Sequence, residues 1–255
     1  MKDSHSGQRQ LHELRVACRR AEAALRIFRD LLPTQSTHWL RKRIRKIRHS
    51  TNVTRDQDVL RKWLKKQKGS VGSGIGLVMK QQREDTLAQM FQLIGNLQQY
   101  HEHVSRVARP ARLSTPADWP AQMGRRVLDE CLHFLRCISR NDTETERLHD
   151  LRIASKRLRY ACELATEVIP HANFRSVLTL LKQIQSRLGQ IHDTAARLEQ
   201  LKQLRKPDFA QWLRESRLEQ QRLIQEWTIW WRSATWENAI GAAATQITKV
   251  IRESR

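Results

Sequence analysis

The chain has 255 residues, of which 47 are Lys or Arg and 26 are Asp or Glu, giving a formal charge of +21. So self-repelling a surface calls for a polyanionic partner: nucleic acid, an anionic membrane or a polyphosphate. Hydrophobic residues still make up 39% of the chain and recur at helical spacing, which excludes a disordered basic tail and leaves a globular protein with a cationic surface.

The N-terminal stretch MKDSHSGQRQ has no apolar run to serve as a signal peptide, and no later segment approaches a membrane span, so a soluble cytoplasmic protein is expected. Apolar residues recur every three or four positions with little β-branched alternation, which predicts an all-α fold. Prolines and glycines divide the chain into eight predicted helices, 8–32, 35–66, 76–108, 121–140, 144–168, 172–205, 208–232 and 235–253, four in each half.

The first predicted helix contains LHELRVACRRAEA from Leu11. At 3.6 residues per turn His12, Arg15 and Arg19 form one stripe with Arg20 at its flank. Leu14, Ala17, Ala21, Ala24 and Leu25 form the expected packing face. The second helix, LRKRIRKIRHSTNVTRD from Leu40, is densely basic around Leu40, Ile44 and Ile47 and ends on RDQDV, 55–59, with two carboxylates close together. Asp56 could touch a Mg²⁺ ion travelling with a phosphate ligand, but an acid beside arginines more simply orients them or caps a helix, and no metal site is assigned. The stretch KGSVGSGIG, 68–76, holds four of the nine glycines but lacks the Gly-Lys-Ser/Thr ending of a phosphate loop, so it reads as a flexible connection. RPARLSTPADWP, 109–120, joins the third and fourth helices, and the polar SRNDTETE, 139–146, is the expected boundary between halves 1–140 and 141–255.

The fifth helix opens with LHDLRIASKRLRY from Leu148, a second version of the first motif. At a fixed offset of 137, eight of 23 positions between Leu11–Pro33 and Leu148–Pro170 are identical. The register continues into the next helix, where Ile47 faces Ile184, Asp56 faces Asp193 and Arg45 faces Lys182. The predicted architecture is therefore a duplicated helical bundle of two pseudo-symmetric four-helix units. His149, Arg152, Lys156 and Arg159 stand along one stripe with Arg157 beside it, opposite Leu151, Ala154, Leu158, Ala161 and Cys162. Like charges at this spacing destabilise an empty helix by a few tenths of about 1 kcal/mol per pair, and an anion reverses the sign. An ordinary solvated face would mix charges and has no reason to be repeated. The two histidines read equally well as packing residues or as pH-sensitive cations.

Trp227, Trp230 and Trp231 in EWTIWW are expected to pack into the bundle, with Ile229 off that face. Cys18, Cys131, Cys137 and Cys162 show no CxxC spacing and are expected as reduced thiols. No nucleophile, paired acid or cofactor motif indicates catalysis.

HELRVACRR with RDQDV, and HDLRIASKRLRY with LKQIQSRLGQIHD, resemble the two halves of a CHAD domain, an α-helical domain named for its histidines. The resemblance runs from about Leu11 to the C-terminus. It implies a two-lobed helical bundle with a basic groove or central channel that binds inorganic polyphosphate without catalysis, and association with polyphosphate granules. The family's binding residues would fall on His12, Arg15, Arg19 and Arg20, and on His149, Arg152, Lys156, Arg157 and Arg159, with Arg45 and Lys182 from the second helices. Ala21 and Glu22 depart from the usual run, which Arg26 one turn on is expected to offset. The alternative is a nucleic-acid-binding basic helical protein, although no helix-turn-helix or base-stacking pattern is present. The oligomeric state is left open.

Overall fold

Helical periodicity governs nearly every segment of the computed structural model, which describes residues 3–64, 73–95, 97–108, 119–138, 144–169, 173–203 and 209–253. Helix α1 (Asp3–Ile27) is followed by a 3-10 turn (Arg29–Leu31), α2 (Thr34–Leu64), α3 (Ser73–Ile94), α4 (Leu97–Ala108), α5 (Trp119–Ile138), α6 (Thr145–Val168), α7 (Arg175–Gln203), α8 (Ala210–Ser233) and α9 (Trp236–Glu253). Among the described residues there is no strand. Nor is any helix among them long and apolar enough to cross a membrane. The break between α1 and α2 follows from Pro33: Leu32 takes the extended conformation (φ −107°, ψ 146°) that a following proline favours. The N–H of Thr37 then donates to the Pro33 carbonyl at 3.0 Å, beginning the new helix.

The predicted third helix, 76–108, is two helices, α3 and α4. Gly95 ends α3 with its N–H donating to the Gln92 carbonyl at 3.3 Å. The Tyr100 hydroxyl donates to the Leu93 carbonyl at 2.9 Å, satisfying an acceptor that the helix end leaves open. Of the glycine-rich 68–76, positions 73–76 belong to α3 and the rest lie outside the described residues, as do 109–118 and 139–143 of the other two predicted connections.

The chain forms two compact units, Met1–Arg112 and Leu113–Arg255. The compact units thus divide at 112/113, whereas the expected repeat halves are 1–140 and 141–255. The reason is α5, whose Val127, Cys131 and Phe134 are buried and which packs against α6 and α9 of the second unit. Gly124 permits that approach: a Cβ there would lie 3.1 Å from Ile251 Cγ1 and 3.3 Å from Ile247 Cγ2.

In the first unit α2 lies against α1, α3 and α4; in the second α7 lies against α6, α8 and α9. Adding 137 to the bounds of α2 and α3 gives 171–201 and 210–231, close to those of α7 and α8. Helix α5 has no counterpart in this alignment, and its presence changes the burial of the repeated stripe helix. Leu151 and Ala154 of α6 are fully buried, as expected. Their counterparts on α1 are not: Leu14 is half-buried and Ala17 is exposed, because among the described residues of its unit α1 packs chiefly on α2 and the 3-10 turn, with no helix equivalent to α5.

The second unit closes on tryptophan. Trp227 and Trp231 are buried with ring centroids 5.0 Å apart, and Trp231 stacks on Trp236 of α9 at 5.3 Å. Trp230 is half-buried under the Arg187 guanidinium of α7, while Ile229 is 71% exposed.

Candidate anion-binding sites

In the first unit the motif helix and its successor run antiparallel. Arg15 Nη2 donates to Asn52 Oδ1 at 3.1 Å, and Arg48 Nε meets Glu22 Oε2 at 2.9 Å. This register brings His12 and Arg15 of α1 together with Arg55, Asp58 and Lys62 of α2 around an open cavity of about 350 Å³, floored by Leu11 and Val59. Both acids of RDQDV face arginines: Asp56 Oδ1 accepts from Arg55 at 3.3 Å and Asp58 Oδ1 from Arg83 of α3 at 3.0 Å. Among the described residues no three His, Cys, Asp or Glu side chains converge as a metal shell would require. Farther along α1, Arg19 and Arg26 are half-buried and Arg20 is exposed; Arg45 is exposed on α2, one turn beyond Arg48 toward the Arg26 end.

The second unit repeats the arrangement with different groups. Gln185 Nε2 of α7 donates to the Ser155 carbonyl of α6 at 3.1 Å, and the rings of His149 and His192 lie 5.2 Å apart at 41°. These two histidines line a cavity of about 220 Å³ with Thr145, Glu146, Leu148, Leu188 and Ile191. Arg152 is 8% exposed and Lys156 half-buried on the same stripe. Partial burial, then the Arg152 charge, His149 and, more weakly, Lys156 push His192 down to about 4, against the opposing pull of Asp193. His149 is lowered for the same reasons, burial first and then Arg152, with Asp150 opposing. Both imidazoles are therefore mostly neutral at pH 7 in the free protein, held so first by partial burial and then by the Arg152 charge.

Among the described residues of the second stripe, only His149 borders this cavity. Arg157 turns to α5, where its Nε and Nη2 donate to the two carboxylate oxygens of Glu130 at 3.0 and 3.2 Å. Arg159 pairs with Glu163 at 3.0 Å and lies over the Tyr160 ring at 4.5 Å. Lys182 is exposed on α7, and the antiparallel register carries it to the level of Arg159. The offset of 137 sets Glu22 against Arg159 and Arg26 against Glu163, so the acid and the base exchange places between the copies. The acid at position 22 is thus answered by Arg48 from the second helix, a partner not visible in the first helix alone.

Three residues at the cavities, Arg55, Lys62 and His192, stand outside the residues expected from sequence. A signal for two of them existed: Arg55 and His192 are separated by the same 137 positions and adjoin Asp56 and Asp193, which the repeat already aligned. Lys62 has no such marker, since Glu199 occupies the equivalent position.

The four cysteines are free thiols. Burial, with Glu22 beside it, pushes Cys18 up to about 11, and burial with Glu130 pushes Cys131 up to about 12, so neither is a ready nucleophile at neutral pH.

A sequence model of the CHAD domain family matches residues 3–202. The crystal structure of the CHAD domain from the plant Ricinus communis superimposes with a TM-score of 0.62 at 20% identity, over 93% of this chain and 81% of that one. No curated protein matches the chain.

Proposed function

We propose, from the premise that this chain belongs to the CHAD domain family, that it is a non-catalytic module that binds inorganic polyphosphate along the basic stripes and adjoining cavities of its two units. One observation carries the reading. In each unit the histidine of the His-x-x-Arg motif and the repeat-equivalent residue of the next helix, Arg55 or His192, border an open cavity, joined in the first unit by Arg15 and Lys62. Arginine forks suit a phosphate chain because they donate paired, charge-assisted hydrogen bonds to neighbouring oxygens. His12, Arg15, Arg55 and Lys62 form the first contact set, extended along the helices by Arg19, Arg20, Arg26 and Arg45. His149, Arg152, Lys156 and His192 form the second, extended by Arg159 and Lys182. Arg157 serves this set from behind, fixing α6 on α5 through Glu130.

The unit boundaries and the repeated neighbour pattern support two copies of a four-helix unit, α1–α4 and α6–α9, with α5 as an addition. A cytoplasmic location at polyphosphate granules follows from the ligand.

The deciding experiment is a competition titration at matched phosphate charge and several salt concentrations, with long-chain polyphosphate against single- and double-stranded DNA. The expected result is a preference for polyphosphate with a steep salt dependence. If six phosphates are neutralised, and each contributes about 0.7 as in single-stranded nucleic acids, the log–log slope is about −4. Equal binding or a preference for DNA would replace this reading with that of a nucleic-acid-binding protein. Release of phosphate with Mg²⁺ present would overturn its non-catalytic part.

A further inference from the structure

The two cavities occupy the same place in the repeat but are not chemically alike. Arg55 provides a permanent cation in the first, and the equivalent position in the second is His192. We infer that the His149–His192 pair makes the second unit's site proton-coupled: a phosphate polyanion bound there draws protons onto the two imidazoles, so the site strengthens as pH falls. The inference rests on the polyphosphate reading and adds a regulation to it.

Two rings 5.2 Å apart and tilted by 41° cannot both be charged at low cost without an anion beside them. The charges acting on them from α6 are Arg152, Lys156 and Asp150, and from α7 Asp193. Glu146 lines the same cavity. The acids that α5 and α8 direct at these helices, Glu130 and Glu219, are held by Arg157 and Arg197. Helix α9 meets the start of α7, where Gln246 Oε1 accepts from the Asn173 N–H at 2.8 Å, at the other end of that helix from His192. Two cations and three acids thus surround the pair, and partial burial, with Arg152 the strongest charge beside it, keeps the histidines of the free site neutral. A neutral imidazole presents one N–H and one lone pair, and the lone pair repels a phosphate oxygen. A polyanion reverses the local field, favours the imidazolium form, and gains a second donor from each ring. Because the rings and the ligand share this field, the protons bind to the pair and not to one assignable residue. Position 192 thus determines whether a unit carries a pair of titratable rings or a single one.

The test is calorimetric titration of the full chain with long-chain polyphosphate, whose internal phosphates stay ionised and whose chain ends alone titrate. Titrations at pH 6.5 in two buffers of different ionisation enthalpy give the protons taken up per binding event. The expected result is net uptake, with affinity at constant ionic strength rising about tenfold from pH 7.5 to 5.5. His192→Arg, which copies the first unit, should bind with reduced uptake and a flatter pH dependence, and the double variant His149→Gln/His192→Gln should reduce uptake further. His12→Gln measures the first unit's own share. Binding without uptake in the wild-type chain would overturn the inference and leave the polyphosphate reading standing, as would uptake unchanged in the double variant. Absence of binding at both pH values would overturn the polyphosphate reading, and the inference with it.

Discussion

Arg157 separates a ligand-binding role from a structural one. In sequence it is one more cation of the stripe, yet both its Nε and Nη2 are committed to a carboxylate, that of Glu130, which is 7% exposed. Replacing Arg157 with Ala removes two charge-assisted hydrogen bonds from an acid that burial already penalises. Breaking a fully buried pair costs about 3–5 kcal/mol, and because the Arg157 side chain is 35% exposed the loss is discounted to about 2–3 kcal/mol. In a chain of this size that corresponds to a melting temperature lower by about 5–10 °C. Polyphosphate affinity, measured below the transition at the same salt, should change less than about twofold, and Glu130→Gln should lower stability in the same direction. An unchanged melting temperature together with a tenfold loss of affinity would refute the reasoning, since it would place the guanidinium on the ligand and not on α5.

Other predictions concern the cavities and the core. Arg55→Glu with Lys62→Glu should lower polyphosphate affinity at least about tenfold and make the salt slope shallower, while leaving helicity by circular dichroism intact. Unchanged affinity would remove the first cavity from the site. His192, depressed to about 4 from an ordinary 6.5, contributes stability that is present above pH 6.5 and lost as pH falls toward 4, because the unfolded chain takes the proton first. With partial exposure the loss is about 1–2 kcal/mol by denaturant titration, and His192→Gln should flatten it. Gly124→Leu should cost about 1–3 kcal/mol by forcing α9 away from α5, and Trp227→Ala about 3–5 kcal/mol by emptying the tryptophan cluster; stability unchanged in either variant would contradict the packing described.

Much of the helix layout was legible because apolar spacing and proline positions act locally: the starts of α2, α6 and α8 fall within a few residues of expectation. The split of α3 from α4 was missed because Gly95 lies within an otherwise continuous apolar pattern, and a single glycine is tolerated in a helix as often as it ends one. The packing face of α6 was read correctly and that of α1 was not, although the same rule was applied to both. The difference is tertiary: α5 covers one and has no equivalent on the other. The same holds for the cations. Helical spacing showed which residues share a stripe, but it could not show that Arg157 is consumed by Glu130, that Glu22 is met by Arg48, or that His192 faces His149. Each of those depends on a second helix.

The uneven covering of the stripe helices also has a consequence for motion. Opening free energies follow local burial, so amide hydrogens along α6, fully packed at Leu151, Ala154 and Leu158, should be among the last to exchange, and those along α1, with Ala17 in water, should exchange far sooner. The first unit then carries fixed charges on a yielding scaffold, and the second carries titratable ones on a rigid one. On the proposed function, a polymer of irregular bends would be accommodated where the backbone gives, and the inferred proton coupling would sit where the spacing between two rings is held constant.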